Sequence, residues 1–272
     1  KALTHPQLDK AMIARIMTLP SESYIADQMA VVDVDAIHAA REFMRRGLAR
    51  ALRDELLQTY RANQSRSAYR FHADDMAQRN LKNKALAYLM SLADDELQQL
   101  CVEQYRQGEN MSDVMAALSL LADVAGPARE EALADFYNRW QHDPQVVEKW
   151  LAIQAGSSLP DTLEQVQALM RHPAFSLHNP NKVRALIGRF CAGNPVNFHA
   201  ADGAGYRYLG DQVLELDAIN PSMAARLVQT LSRWRRYDPE RQALMREQLE
   251  RIVARDGLSN DVYEIASRSL EG

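Results

Sequence analysis

Cysteine is almost missing from this chain: Cys101 and Cys191 are the only two, ninety positions apart. That excludes a disulfide framework and a multi-cysteine zinc site, and it points to a reducing, cytoplasmic setting. No run approaches the ~20 consecutive apolar residues that a membrane helix requires, so no membrane partner is expected. Neither sign of charge dominates, since 32 basic and 36 acidic side chains are mixed along the sequence for a net charge of -4. Without a basic field to hold a polyanion, nucleic acid is not an expected partner. The amino terminus, Lys1-Ala-Leu-Thr-His-Pro, has neither an initiator methionine nor the apolar core of a signal peptide. The chain is therefore expected to be a piece of a longer protein. Strand-like alternation of apolar and polar residues is also scarce.

What fills the chain instead is helical periodicity. Between Ala36 and Tyr60, the residues Ile37, Phe43, Met44, Leu48, Leu52, Leu56 and Leu57 recur at three- and four-residue steps, which predicts one apolar stripe on one helix. Further helices are predicted at about 73–91, 94–106, 112–124, 128–141, 144–154, 161–170, 180–192, 202–217, 220–236, 239–254 and 259–270. Five Asx-Pro pairs punctuate them: Asp143-Pro144, Asn179-Pro180, Asn194-Pro195, Asn220-Pro221 and Asp238-Pro239. Each predicts a helix start, because the Asx side chain accepts from an orphan backbone N–H while proline supplies a helical φ where its missing donor does no harm. Asp161 with Glu164 predicts a further start of the capping-box kind. Such short helices in quick succession give an all-α fold, an irregular superhelical array of short antiparallel helices of the HEAT or armadillo type. No strict repeat length emerges, and no linker divides the chain, so residues 1–272 are expected to form one domain.

Chemistry-bearing constellations are few. Seven histidines (His5, His38, His72, His142, His172, His178 and His199) include no pair at His-Glu-x-x-His spacing, so solvated or capping roles are expected and no metal ligand is assigned. Gly203-Ala204-Gly205 lacks the strand that must precede a phosphate cradle, and it is better read as a helix start where backbones approach closely beside Tyr206 and Tyr208. Asp74-Asp75, Asp94-Asp95 and Glu130-Glu131 fall where helices begin and the macrodipole favours negative charge. There is no Gly-x-Ser-x-Gly elbow and no local Cys-His pairing, so no catalytic residue is assigned. Arg184 and Arg226 stand out because each sits among apolar residues on its helix, and a guanidinium can hold a carboxylate at two points.

A set of longer segments carries a resemblance: "LTHPQLD" at 3–9, "TLPSE" at 18–22, "NMSDVMAALS" at 110–119, "NPNKVRALIGRF" at 179–190, "GNPVNFHAADGAGY" at 193–206, "INPSMAARL" at 219–227, "RRYDPERQALM" at 235–245 and "LSNDVYE" at 258–264. In order and spacing the chain resembles the C-terminal helical domain of the bacterial alanyl aminopeptidase (aminopeptidase N) family of zinc metallopeptidases. The resemblance implies a helical array that closes over the active site of an upstream catalytic domain of the same chain and walls a substrate chamber. It implies a monomeric parent enzyme that removes N-terminal residues from peptides. It also implies that zinc, the His-Glu-x-x-His helix and the Gly-Ala-Met-Glu-Asn loop lie upstream; none of these is in this sequence, and "GENMS" at 108–112 belongs to a different segment.

By the same resemblance Arg184 and Arg226 correspond to arginines that face the chamber and bind peptide substrate, and Ser222 stands where relatives carry a longer polar side chain. His199, Asp202 and Tyr206 match too and are expected to organise the joint between helices. The fragment itself is expected to bind no cofactor and to be inactive. The competing expectation is a stand-alone helical scaffold that binds a protein or peptide on a concave face without catalysis.

Overall fold

The computed structural model describes residues 3, 8–65 and 69–271; His5 and most of the "LTHPQLD" segment lie outside them. In chain order the α-helices are α1 (Lys10–Ile16), α2 (Glu22–Asp27), α3 (Val34–Ala51), α4 (Arg53–Ala62), α5 (Ala73–Met90), α6 (Asp95–Gln107), α7 (Met111–Leu121), α8 (Pro127–Trp140), α9 (Pro144–Ala155) and α10 (Thr162–Met170). They continue as α11 (Pro180–Val183), α12 (Arg189–Gly193), α13 (Pro195–Phe198), α14 (Ala204–Asp217), α15 (Pro221–Val228), α16 (Pro239–Val253) and α17 (Asn260–Glu271). A π-helical turn, Arg184–Gly188, joins α11 to α12, and two 3-10 turns follow α15. Among the described residues the only strand-like pairing is an isolated parallel bridge between Val32 and Tyr237. The fold is all-α.

The chain forms two compact units: residues 1–22 with 37–135, and residues 23–36 with 136–272. In the first, α4 packs on α5, α6 on α7, and α1 on α5. In the second, α9 packs on the π turn, while α14, α15, α16 and α17 pack on one another. Leu86, Leu89, Leu118 and Leu121 are buried in the first unit; Phe190, Phe198, Tyr206 and Leu209 are buried in the second.

Most of the punctuation does what its chemistry dictates. Asp143 accepts from the N–H groups of Gln145 and Val146, Asn179 from Asn181 and Lys182, Asn220 from Met223, and Asp238 from Arg241. Asn194 departs from this pattern. Its side chain makes no cap; its Nδ2 donates to the carbonyls of Ala155 (3.0 Å) and Ser157 (2.7 Å), orphan acceptors at the end of α9, and these long-range partners outcompete the local one. Asp161 also makes no cap bond, because the backbone there is not extended and its carboxylate instead accepts from Gln165 Nε2 at 3.2 Å. The single helix expected over 36–60 is two helices, α3 and α4, with Leu52 at the break (φ -123°, ψ 23°). Phe43, six residues from Ile37, lies about 240° round the helix from it and is 76% exposed. Met44 is exposed as well.

Candidate functional site

The segment from Asn179 to Gly210 joins five short helical pieces around one aromatic cluster. Phe190 meets Phe198 and Tyr208 edge-on, with ring centroids 6.2 and 5.8 Å apart, and Phe198 meets Tyr206 at 5.3 Å. The Gly-x-Gly pair exists to let the chain turn into this cluster. Gly203 caps α14 in the left-handed region (φ +69°), where a side chain is disfavoured, and a Cβ on Gly205 would collide with the carbonyl oxygen of Phe198. This is a close backbone crossing and not a phosphate loop.

His199 locks the joint. Its ring is buried, with Nδ1 2.8 Å from the Tyr206 hydroxyl and Nε2 3.2 Å from the Tyr237 hydroxyl, and its carbonyl accepts from Arg241 Nε at 2.8 Å. Burial, aided by the nearby Arg241 cation, holds its pKa down to about 3, so the ring is neutral and each hydroxyl can donate or accept as its nitrogen requires. Arg241 is itself pinned by Asp238 (2.9 Å) and Asp35 (2.7 Å). Asp202 accepts from the Ala204 N–H at 2.9 Å. The three residues expected to organise the joint do so.

Arg184 opens the π turn. Val183, Leu186, Ile187 and Phe190 face inward, while Arg184 is exposed and donates to Asn181 Oδ1. A π turn shifts the register by one residue and recurs at functional positions; the sequence pattern predicts an uninterrupted helix here. Arg226 lies on the outer face of α15, whose inner face buries Met223, Ala224, Leu227 and Val228. Ser222, four residues earlier, shares that exposed face. Neither arginine lines the three cavities described for the chain.

The remaining histidines divide. His72 caps α5, and His172 accepts from the Ala174 N–H at 3.1 Å against Tyr137 and Trp150. His38 is neither solvated nor a cap: it is half-buried 2.9 Å from Glu22, whose carboxylate raises its pKa while its own ring lowers that of Glu22. Both cysteines are buried, and burial pushes the Cys101 thiol up to about 12. Among the described residues no group of three or more His, Cys, Asp or Glu is placed to hold a metal ion. No described helix is long and apolar enough to cross a membrane.

A family described as a domain of unknown function (DUF3458_C) with ARM repeats matches residues 1–271. The chain belongs to this ARM-repeat family. That description agrees with the expected armadillo-like class. The resemblance to aminopeptidase N is borne out over nearly the whole chain: it is 38% identical to aminopeptidase N of Escherichia coli K12 over 269 residues and 40% identical to that of Caulobacter vibrioides over 272. These alignments cover 98% and 99% of the chain but 31% of each relative. The solved structure of Legionella pneumophila aminopeptidase A in complex with aspartic acid matches with a TM-score of 0.90 at 32% identity, over 99% of this chain and 32% of that one. This member of the family thus spans about a third of the length of the relatives it matches.

One cluster escaped the sequence reading. Lys82 Nζ and Asp113 Oδ2 are 2.6 Å apart, each side chain only 4% exposed, with Asn83 and Asn110 also donating to the carboxylate at 2.9 Å. The local signal was "NMSD", an Asn N-cap with Asp at the third position; the partner on α5 is thirty-one residues away and no periodicity announces it.

Proposed function

We propose that this chain is the C-terminal part of a zinc-dependent, cytoplasmic, monomeric aminopeptidase that releases N-terminal residues from peptides. In this reading residues 1–272 form one helical domain that closes over an upstream active site and lines the substrate chamber. The chain carries no catalytic group and is inactive alone. The observation that carries the reading is the 38–40% identity, across almost the full chain, to aminopeptidases about three times its length.

Arg184 and Arg226 supply the peptide-binding contacts. Both guanidinium groups stand on exposed faces whose opposite sides are firmly packed, which leaves them available to a ligand while their helices stay fixed. In open water a guanidinium–carboxylate pair contributes about 0–1 kcal/mol. Enclosed at an effective dielectric near 20, the same pair at 4 Å attracts by about 4 kcal/mol before desolvation. A peptide whose amine is held at the upstream site would present its far carboxylate to these arginines.

The test uses the full-length protein. Arg184→Ala and Arg226→Ala should lower kcat/KM for tetrapeptides by about ten-fold and for the matching C-terminal amides much less, the difference measuring the carboxylate contact. Equal losses on both substrates would remove the assigned role.

A further inference from the structure

Two glycines at the ends of different helices make room for one arginine. Arg189, the first residue of α12, is exposed, and a Cβ on Gly156 would come within 2.9 Å of its Nε and of one terminal nitrogen. A Cβ on Gly193 would come within 2.6 Å of the other terminal nitrogen. Neither glycine is there for its backbone: Gly156 has φ -92°, and Gly193 closes α12 without a left-handed φ, so both conformations are allowed to L-residues. Glycine loses more chain entropy on folding than alanine does, and what the missing side chains make room for is the Arg189 guanidinium. The end of α9, against which that guanidinium lies, does not account for the seat. The carbonyls of Ala152, Ile153 and Gln154 already accept from the N–H groups of Gly156 and Ser157, and those of Ala155 and Ser157 accept from Asn194. Among the described residues Arg189 makes no hydrogen bond and no ion pair. A cation held in place without a partner is preorganised for one from outside.

The π turn sets the side from which that partner comes. The Arg189 N–H donates to the Arg184 carbonyl, five residues back, so Arg189 stands one turn beyond Arg184 on the same exposed face, while Val183, Leu186, Ile187 and Phe190 are buried. In an unbroken α-helix the two would point about 140° apart. The Arg184 guanidinium reaches back to Asn181 and that of Arg189 reaches forward to Gly193, which separates the two charges by roughly 18 Å along the axis. An extended peptide covers that distance in about five residues.

We propose that Arg189 is a further substrate-binding residue that takes a second peptide carboxylate, either an acidic side chain or the terminus of a peptide about five residues longer than one ending at Arg184. The inference rests on the reading that this face lines the substrate chamber, and it adds to that reading a preference for acidic or longer peptides. Arg189 acts here by binding and not in the bond-breaking step, so its effect falls on KM.

Nonapeptide hydrolysis by the full-length protein tests this in two arms. In one, C-terminal amides carrying a single Asp are compared with their Asn counterparts as that residue is moved along the peptide; in the other, a neutral nonapeptide acid is compared with its amide. The unaltered protein should prefer the charged member of at least one arm, and the responding arm identifies the source of the carboxylate. Arg189→Gln should cut that preference by about ten-fold, through KM, and Arg189→Lys should restore most of it. Gly193→Ala leaves the arginine in the chain but fills its seat, and should reproduce the loss even if Arg189→Gln folds poorly. No preference in the unaltered protein, or a preference that both Arg189→Gln and Gly193→Ala leave intact, overturns the proposal. If Arg184→Ala weakens tetrapeptides while Arg189→Gln alters neither arm, this inference fails alone; if Arg184→Ala leaves tetrapeptides unaffected, the chamber reading fails with it.

Discussion

Replacing His199 with glutamine should remove an acid sensitivity from the second unit. In the folded chain burial holds the ring near pKa 3, whereas in the unfolded chain it titrates at its ordinary value of about 6.5. A histidine with a depressed folded pKa takes up its proton preferentially when unfolded. Its contribution is therefore fully present above about pH 6.5 and lost as pH falls from there toward 3. At pH 5 the loss is about 1.5 pH units at 1.36 kcal/mol per unit, or about 2 kcal/mol. All three tryptophans, Trp140, Trp150 and Trp234, lie in the second unit, so tryptophan fluorescence during urea unfolding reports on it. Between pH 7.5 and pH 5 the parent chain should lose about 2 kcal/mol more than His199→Gln, even though the variant starts less stable at pH 7.5. Identical pH dependence in the two chains, or an NMR titration of the His199 ring with its midpoint near 6, would refute the account of a neutral histidine clamped between two hydroxyls.

Lys82→Met leaves the Asp113 carboxylate buried without its cation and should cost about 3–5 kcal/mol by urea unfolding, with much of that recovered in Lys82→Met/Asp113→Leu. Gly205→Ala forces the Phe198 carbonyl aside and should lower stability by about 1–3 kcal/mol, whereas Gly47→Ala, in open space within α3, should raise it by about 0.5–1 kcal/mol. Asn194→Ala strips donors from the Ala155 and Ser157 carbonyls and should destabilise by about 1–3 kcal/mol, more than removal of a cap alone. In differential scanning calorimetry each of these should appear as a displaced melting temperature of corresponding sign.

Helix positions were legible because they rest on local rules. Asp143, Asn179, Asn220 and Asp238 start their helices through bonds made within three residues, and the first-turn acids Asp74, Asp75 and Asp95 need only the nearby dipole. Where a side chain found a better partner far along the chain, local reading failed. Asn194 left its cap for the end of α9, and Lys82 found Asp113, at distances along the chain that propensity does not sense. Phe43 shows a related limit, since three- and four-residue spacing identifies a helix but does not say which apolar residues face the core. The close approach at Gly203, Gly205 and Tyr206 was legible from glycine and aromatic placement, whereas His199 and Asp202 were marked by the resemblance to aminopeptidase N.

The most direct test of the functional account is a paired assay of zinc content and aminoacyl-anilide hydrolysis on this 272-residue chain and on the full-length protein. The account predicts bound zinc and turnover in the full-length protein, and neither in the chain alone. Stoichiometric zinc with turnover in the isolated chain would contradict it.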